Sequence, residues 1–118
     1  MVIKKEPHWY PLNMLHLYVE MCENSLDVAT KDLSYLKNSQ LNPQQLNSNL
    51  IHRVLNMYSS KTEDTWVFFE QCKKWLNDSP NDEELKLIAR VEKTANQLDV
   101  INHEILDLIR NIKLSIID

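Results

Sequence analysis

Apolar side chains recur in this chain at alternating steps of three and four residues for most of its length, and that period fixes the fold class. Leu12, Leu15, Val19, Cys22, Leu26, Ala29, Leu33 and Leu36 form one run. Ile51, Leu55, Tyr58, Thr62, Thr65, Phe69, Cys72 and Leu76 form a second, widened by Leu50, Val54, Met57, Phe68 and Trp75. Ile88, Val91, Ala95, Leu98, Asn102, Ile105, Ile109, Ile112 and Ile116 form the third, flanked by Leu87, Ile101 and Leu108. A strand needs alternation every second residue, whereas steps of three and four gather side chains on one face of an α-helix. Each run is also a coiled-coil-like heptad seam. The sequence therefore predicts an all-α protein.

Two short stretches punctuate the seams. In "NSQLNPQQ", Asn42 is placed to cap a helix with Pro43 at its first position and Gln45 reaching back. In "NDSPNDEE", Ser79 and Pro80 repeat the arrangement, with Asp82, Glu83 and Glu84 on the positive end of the next helix. Asn38 and Asn77 stand where glycine would ordinarily end the preceding helices. The chain has no glycine among its 118 residues. That absence removes phosphate-cradling Gly-rich loops and the G-x-S-x-G nucleophile elbow, together with the enzyme classes built on them.

These signals predict an elongated antiparallel up-down-up helical bundle of three long helices over residues 12–118, preceded by an aromatic and proline-rich segment at 1–11. The second helix has one doubtful place. Ser60 and Glu63 in "SSKTED" have capping-box spacing, so a break near residues 59–65 would make four helices. The heptad phase crosses that stretch without glycine or proline, so a single helix is the expectation.

Composition narrows the function classes. With 43% hydrophobic and 25% charged residues, the chain has the balance of a folded domain rather than a disordered one. Thirteen Lys and Arg against seventeen Asp and Glu leave a net charge of −4. Nucleic-acid binders draw affinity from a basic excess, so protein ranks above nucleic acid as a partner. Lys86, Arg90 and Lys93 make a local basic face, interleaved with Glu83, Glu84 and Glu92. No stretch has the length and apolarity of a membrane span or a signal peptide, and a cytoplasmic protein is expected. Cys22 and Cys72 lie far apart within helical patterns, which suits reduced, buried thiols rather than a zinc site.

A catalytic constellation is not found in the pattern. His16 with Glu20 and His103 with Asp107 have ligand-like i, i+4 spacing, but His16 flanks its seam, and His52 and His103 follow seam residues by one position and point outward. Histidine phosphotransfer bundles place lysine three residues after the histidine; here Val19, Leu55 and Leu106 stand there. No catalytic residue, metal site, cofactor or small-molecule substrate is therefore assigned, and the chain is expected not to be an enzyme.

What remains is surface for another protein. Met14, Met21, Val28 and Tyr35 recur every seven residues beside the first seam and widen its apolar face to about 160°. Before them stands "EPHWYPLN", in which Trp9 and Tyr10 lie between two prolines. These rings either fold down on the end of the bundle, against Met14 or the hinge between the second and third helices, or offer a rigid aromatic hook to a partner. Trp9, Tyr10, Met14, Met21, Val28 and Tyr35 are thus the candidate partner-binding residues. The expected function is a non-catalytic protein–protein interaction module, an adaptor, chaperone or regulator that docks a protein partner or forms a homodimer. The alternatives are a helical subunit of a nucleoprotein assembly and an enzyme with an unrecognised site. Asn102, polar on an apolar seam, either fixes register from inside the bundle or leaves the core position to Ile101.

Overall fold

A computed structural model describes residues 7–40 and 46–117, and among them every regular element is helical. A single 3-10 turn at Leu12–Met14 leads into α1 (Leu15–Gln40), followed by α2 (Ser48–Glu63), α3 (Thr65–Leu76) and α4 (Asp82–Ile117). Asp64 alone separates α2 from α3, so the two are arms of one bent helix and the up-down-up bundle of three long helices stands. The bend needs neither glycine nor proline. Thr62 Oγ1 donates to the Ser59 carbonyl at 2.9 Å and Thr65 Oγ1 to the Lys61 carbonyl at 3.0 Å. Such back-bonding hydroxyls compete with the helical ladder and bend it. The Val67 N–H then bonds three residues back, to Asp64, rather than four. Ser60 and Glu63 form no capping box there.

The helix α4 spans 36 residues. At 1.5 Å per residue it is ~54 Å long, which accounts for the longest dimension of 56 Å in a molecule measuring 56 × 37 × 17 Å. All three other helices pack on α4. Every seam residue of α4 from Ile88 to Ile112 is buried, Asn102 included, with Ile101 half-buried beside it. The core falls into two clusters. Leu15, Tyr18, Val19 and Cys22 of α1 meet Cys72 and Trp75 of α3 and Ile88 and Val91 of α4. Ala29 and Leu36 of α1 meet Leu46, Ile51 and Tyr58 and the α4 residues Leu98, Ile105, Ile109 and Ile112. Phe68 packs on both clusters and joins them beside the bend.

Three local expectations are corrected. The helix α1 runs through Asn38 to Gln40 instead of ending there. Ser79 and Pro80 do not start α4: Asn81 does. The Glu84 N–H donates to Asn81 Oδ1 at 2.8 Å, and the Asn81 N–H donates to Glu84 Oε1 at 2.9 Å. This reciprocal pair is a capping box, and it places Glu84 where the helix dipole favours a carboxylate. Ser79 instead takes the left-handed conformation (φ 54°) that a glycine would fill more cheaply. Third, Trp75, expected on the flank of the second stripe, is wholly buried, and Leu76, expected on its seam, is exposed, although the seam residues Thr65 and Cys72 stay buried past the bend. The capping assignment at Asn42, Pro43 and Gln45 lies outside the described residues.

Candidate interaction groove

The aromatic segment packs along α3 rather than on the hinge at residues 77–81. Gln71, buried in α3, faces Tyr10 and treats its peptide group as a strand neighbour would. The Tyr10 N–H donates to Gln71 Oε1 at 2.7 Å, and Gln71 Nε2 donates to the Tyr10 carbonyl at 3.2 Å. Trp75 Nε1 donates to the same carbonyl at 3.0 Å. The Tyr10 ring lies edge-on to Tyr18 with centroids 5.5 Å apart, and Tyr18 lies edge-on to Trp75 at 5.0 Å. Trp9 leans on Trp66 at 6.3 Å, with Lys74 Nζ 4.8 Å from its ring centroid. Both rings of the segment are therefore engaged by their own chain.

The α1 stripe is placed differently. Met14 is half-buried beside the 3-10 turn, whereas Met21, Val28 and Tyr35 are 43%, 49% and 48% exposed. A fourth helix folding back would have covered them, but the bend at Asp64 leaves α3 in series with α2. Between α1 and the bent helix runs an open groove made of adjoining hollows. Pro7, His8, Tyr10 and Tyr18 line its first part, together with Met21, Asp64 and Phe68. Met21 and Val28 continue it beside Leu17, Asn24 and Lys61 in a hollow of about 540 Å³. Tyr35, Leu36, Val54, Met57 and Tyr58 line its far part. From Tyr18 to Leu36 the α1 wall extends ~27 Å at 1.5 Å per residue. Four of the six sequence candidates, Tyr10, Met21, Val28 and Tyr35, thus border one groove. Trp9 and Met14 do not line it.

The middle of the groove holds its polar feature. A socket of about 190 Å³ is lined by Ser25, Ser60, Lys61, Asp64, Phe68, Leu98 and Asn102. Among the described residues, Asn102 Oδ1 is the one buried side-chain nitrogen or oxygen without a hydrogen-bond partner. Asn102 itself is 4% exposed. A buried acceptor left unpaired costs about 1–3 kcal/mol. Asp64 makes no ion pair among the described residues. Among the described residues the groove walls carry Glu20, Asp32 and Asp64 against one lysine, Lys61. Lys61 Nζ lies 4.7 Å from the Tyr58 ring centroid, and the Tyr58 hydroxyl donates to Asp32 Oδ2. Among the described residues the electrostatic balance of the groove is acidic.

Elsewhere the polar residues are occupied or dispersed. Arg90, the middle of the basic face, donates twice to the Glu23 carboxylate at 2.7 and 2.9 Å, tying α4 to α1. His8, His16, His52 and His103 are all exposed, and among the described residues no three His, Cys, Asp or Glu side chains gather closely enough to hold a metal ion. Cys22 and Cys72 are free and buried, and burial pushes both thiols up to about 12. Burial also raises the Tyr18 and Tyr58 phenols, the latter with help from its bond to Asp32. No helix of the described residues is long and apolar enough to cross a membrane. The chain matches no protein-family model, no curated protein and no solved structure.

Sequence reasoning missed Gln71 and the role of Asp64. Gln71 was legible as a polar residue next to the seam position Cys72, but only the path of the N-terminal segment gives it a purpose. Asp64 carries no signal of its own: the threonines on either side make it the bend.

Proposed function

We propose that the chain is a non-catalytic protein-interaction module that docks a helix of another protein in the groove between α1 and the bent α2–α3 helix. One observation carries this reading: three apolar residues of the α1 stripe stay about half exposed on the wall of a groove with helix-bundle walls that none of the described helices fills. Helix-in-groove recognition uses such a surface, with anchors at i, i+3, i+4 and i+7. Methionines at Met21 and Met57 suit a wall that adapts to its ligand. A docked helix would restore the four-helix cross-section that the bend leaves incomplete.

The test is a paired substitution, Met21→Glu with Val28→Glu. Both positions are exposed, so the variant keeps the wild-type melting temperature. In affinity purification from the native cell, followed by mass spectrometry, wild type retains its partner and the variant loses it. If the variant unfolds, the stripe is core rather than interface. If it retains the same companions, the groove is not the docking surface.

A further inference from the structure

We infer that the groove takes a basic amphipathic helix that inserts one cationic side chain, Arg or Lys, from its apolar face into the Asp64–Asn102 socket. This rests on the docking reading above and names the chemistry of the occupant. Two observations made independently of each other lead to it. The first is charge: among the described residues Glu20, Asp32 and Asp64 border the groove against the one lysine Lys61, and Lys61 is already set against the Tyr58 ring. The second is Asn102, a lining residue of the socket whose buried Oδ1 has no hydrogen-bond partner and which an inserted donor reaches by turning the amide toward the socket.

The socket selects the inserted group. Asp64 brings a carboxylate free of ion pairs among the described residues, and Asn102 brings an acceptor without a donor. Guanidinium and ammonium groups are donors only, so they satisfy both without leaving an acceptor of their own unpaired. An inserted carboxylate would meet Asp64 with like charge, and an inserted leucine would leave Asn102 as it is. A second copy of this chain is a poorer occupant. Its α1 stripe is flanked by Glu20, which would face Glu20, Asp32 and Asp64 across the groove, and its Lys31 is already paired with Asp27 at 3.0 Å. An occupant of about 18 residues matches the ~27 Å wall.

The probes are synthetic 18-residue helices, lactam-bridged to hold their conformation, with a leucine face and a lysine-rich polar face. One carries an arginine at the centre of its leucine face. Its isomer has the same residues and charge, with that arginine moved to the polar face. A third replaces the lysines with glutamates. Affinities are measured by fluorescence anisotropy at fixed salt, because like-for-like charge removes non-specific attraction from the comparison. The arginine-centred peptide binds wild type at least tenfold more tightly than its isomer, and the glutamate peptide binds least. Asn102→Leu stays folded, melts no lower than wild type and erases most of the preference, and Asp64→Asn reduces it. Equal binding of the two isomers, or a preference that survives both substitutions, overturns the inference. If the isomers bind equally and Met21→Glu abolishes both, helix docking stands and the cationic socket falls. If none of the peptides binds while wild type forms a dimer that Met21→Glu dissociates, the occupant is a second copy and the inference is wrong.

Discussion

Replacing Gln71 with leucine tests how firmly the aromatic segment belongs to the bundle. The substitution removes two hydrogen bonds to Tyr10, at 2.7 and 3.2 Å, while the Tyr10 carbonyl keeps its bond from Trp75 Nε1. Each lost bond is worth about 1 kcal/mol net, and the orphaned Tyr10 N–H adds part of a desolvation penalty of about 1–3 kcal/mol. Leucine offsets some of this, because it places apolar surface where a buried amide stood. The sum is a loss of about 2 kcal/mol. It cannot grow much larger, since residues 7–11 can lift away and let water satisfy Tyr10. For a domain of this size that loss lowers the melting temperature by roughly 6–10 °C, read by circular dichroism. Deleting residues 1 to 10 should cost at least as much, because it also removes the Trp9 and Tyr10 rings from Trp66 and Tyr18. Gln71→Leu and the deletion act through one contact, so combining them should cost little more than the deletion alone. A melting temperature within 1–2 °C of wild type for both variants would show the segment to be a free arm that adds nothing to the bundle.

Two further outcomes follow from local chemistry. Asn81→Ala removes one half of the capping box at the start of α4 and should cost about 1 kcal/mol by urea denaturation, and Glu84→Ala added to it should cost much less than it does alone. The thiols of Cys22 and Cys72 keep their protons up to about pH 12 in the folded chain, against 9.0 when unperturbed. The unfolded chain therefore releases protons first, so the thiols' contribution to stability is full below about pH 9 and is lost progressively as the pH rises toward 12. Denaturation midpoints should fall across that window, and replacing both cysteines with alanine should flatten the decline. At pH 8 a thiol reagent should label neither cysteine until the chain is unfolded.

The seams were legible because burial against a central helix imposes the period that was read from them. Every residue from Ile88 to Ile112 on the α4 seam is buried, since α4 is packed along its length by three other helices. Asn102 could be placed on the seam but not in or out of the core, because a rotation of one residue exchanges it with Ile101, and only packing decides between them. The exchange of Trp75 and Leu76 was beyond a heptad count: the seam residues Thr65 and Cys72 stay buried past the bend, and at the end of α3 it is Trp75 that turns in, bonded to the Tyr10 carbonyl, a contact the apolar pattern does not record. The start of α4 was legible and misread. "NDEE" has the spacing of a capping box at Asn81 and Glu84, but the neighbouring Ser79 and Pro80 offered a competing start. The groove was half legible. The heptad repeat of Met21, Val28 and Tyr35 showed surplus apolar surface, whereas the opposite wall and the socket depend on where the bent helix lies.

Whether the groove between α1 and α2–α3 receives a helix is read by an NMR titration of the isotope-labelled chain with the arginine-centred peptide. The expected shifts follow the α1 wall from Tyr18 to Leu36 and the opposite wall from Tyr58 to Phe68, with the side-chain amide of Asn102 among the resonances that move most. Shifts gathered instead around Val100 and Gln97, in the hollow on the α1–α4 side, would contradict docking in the groove, as would a spectrum that the peptide leaves unchanged.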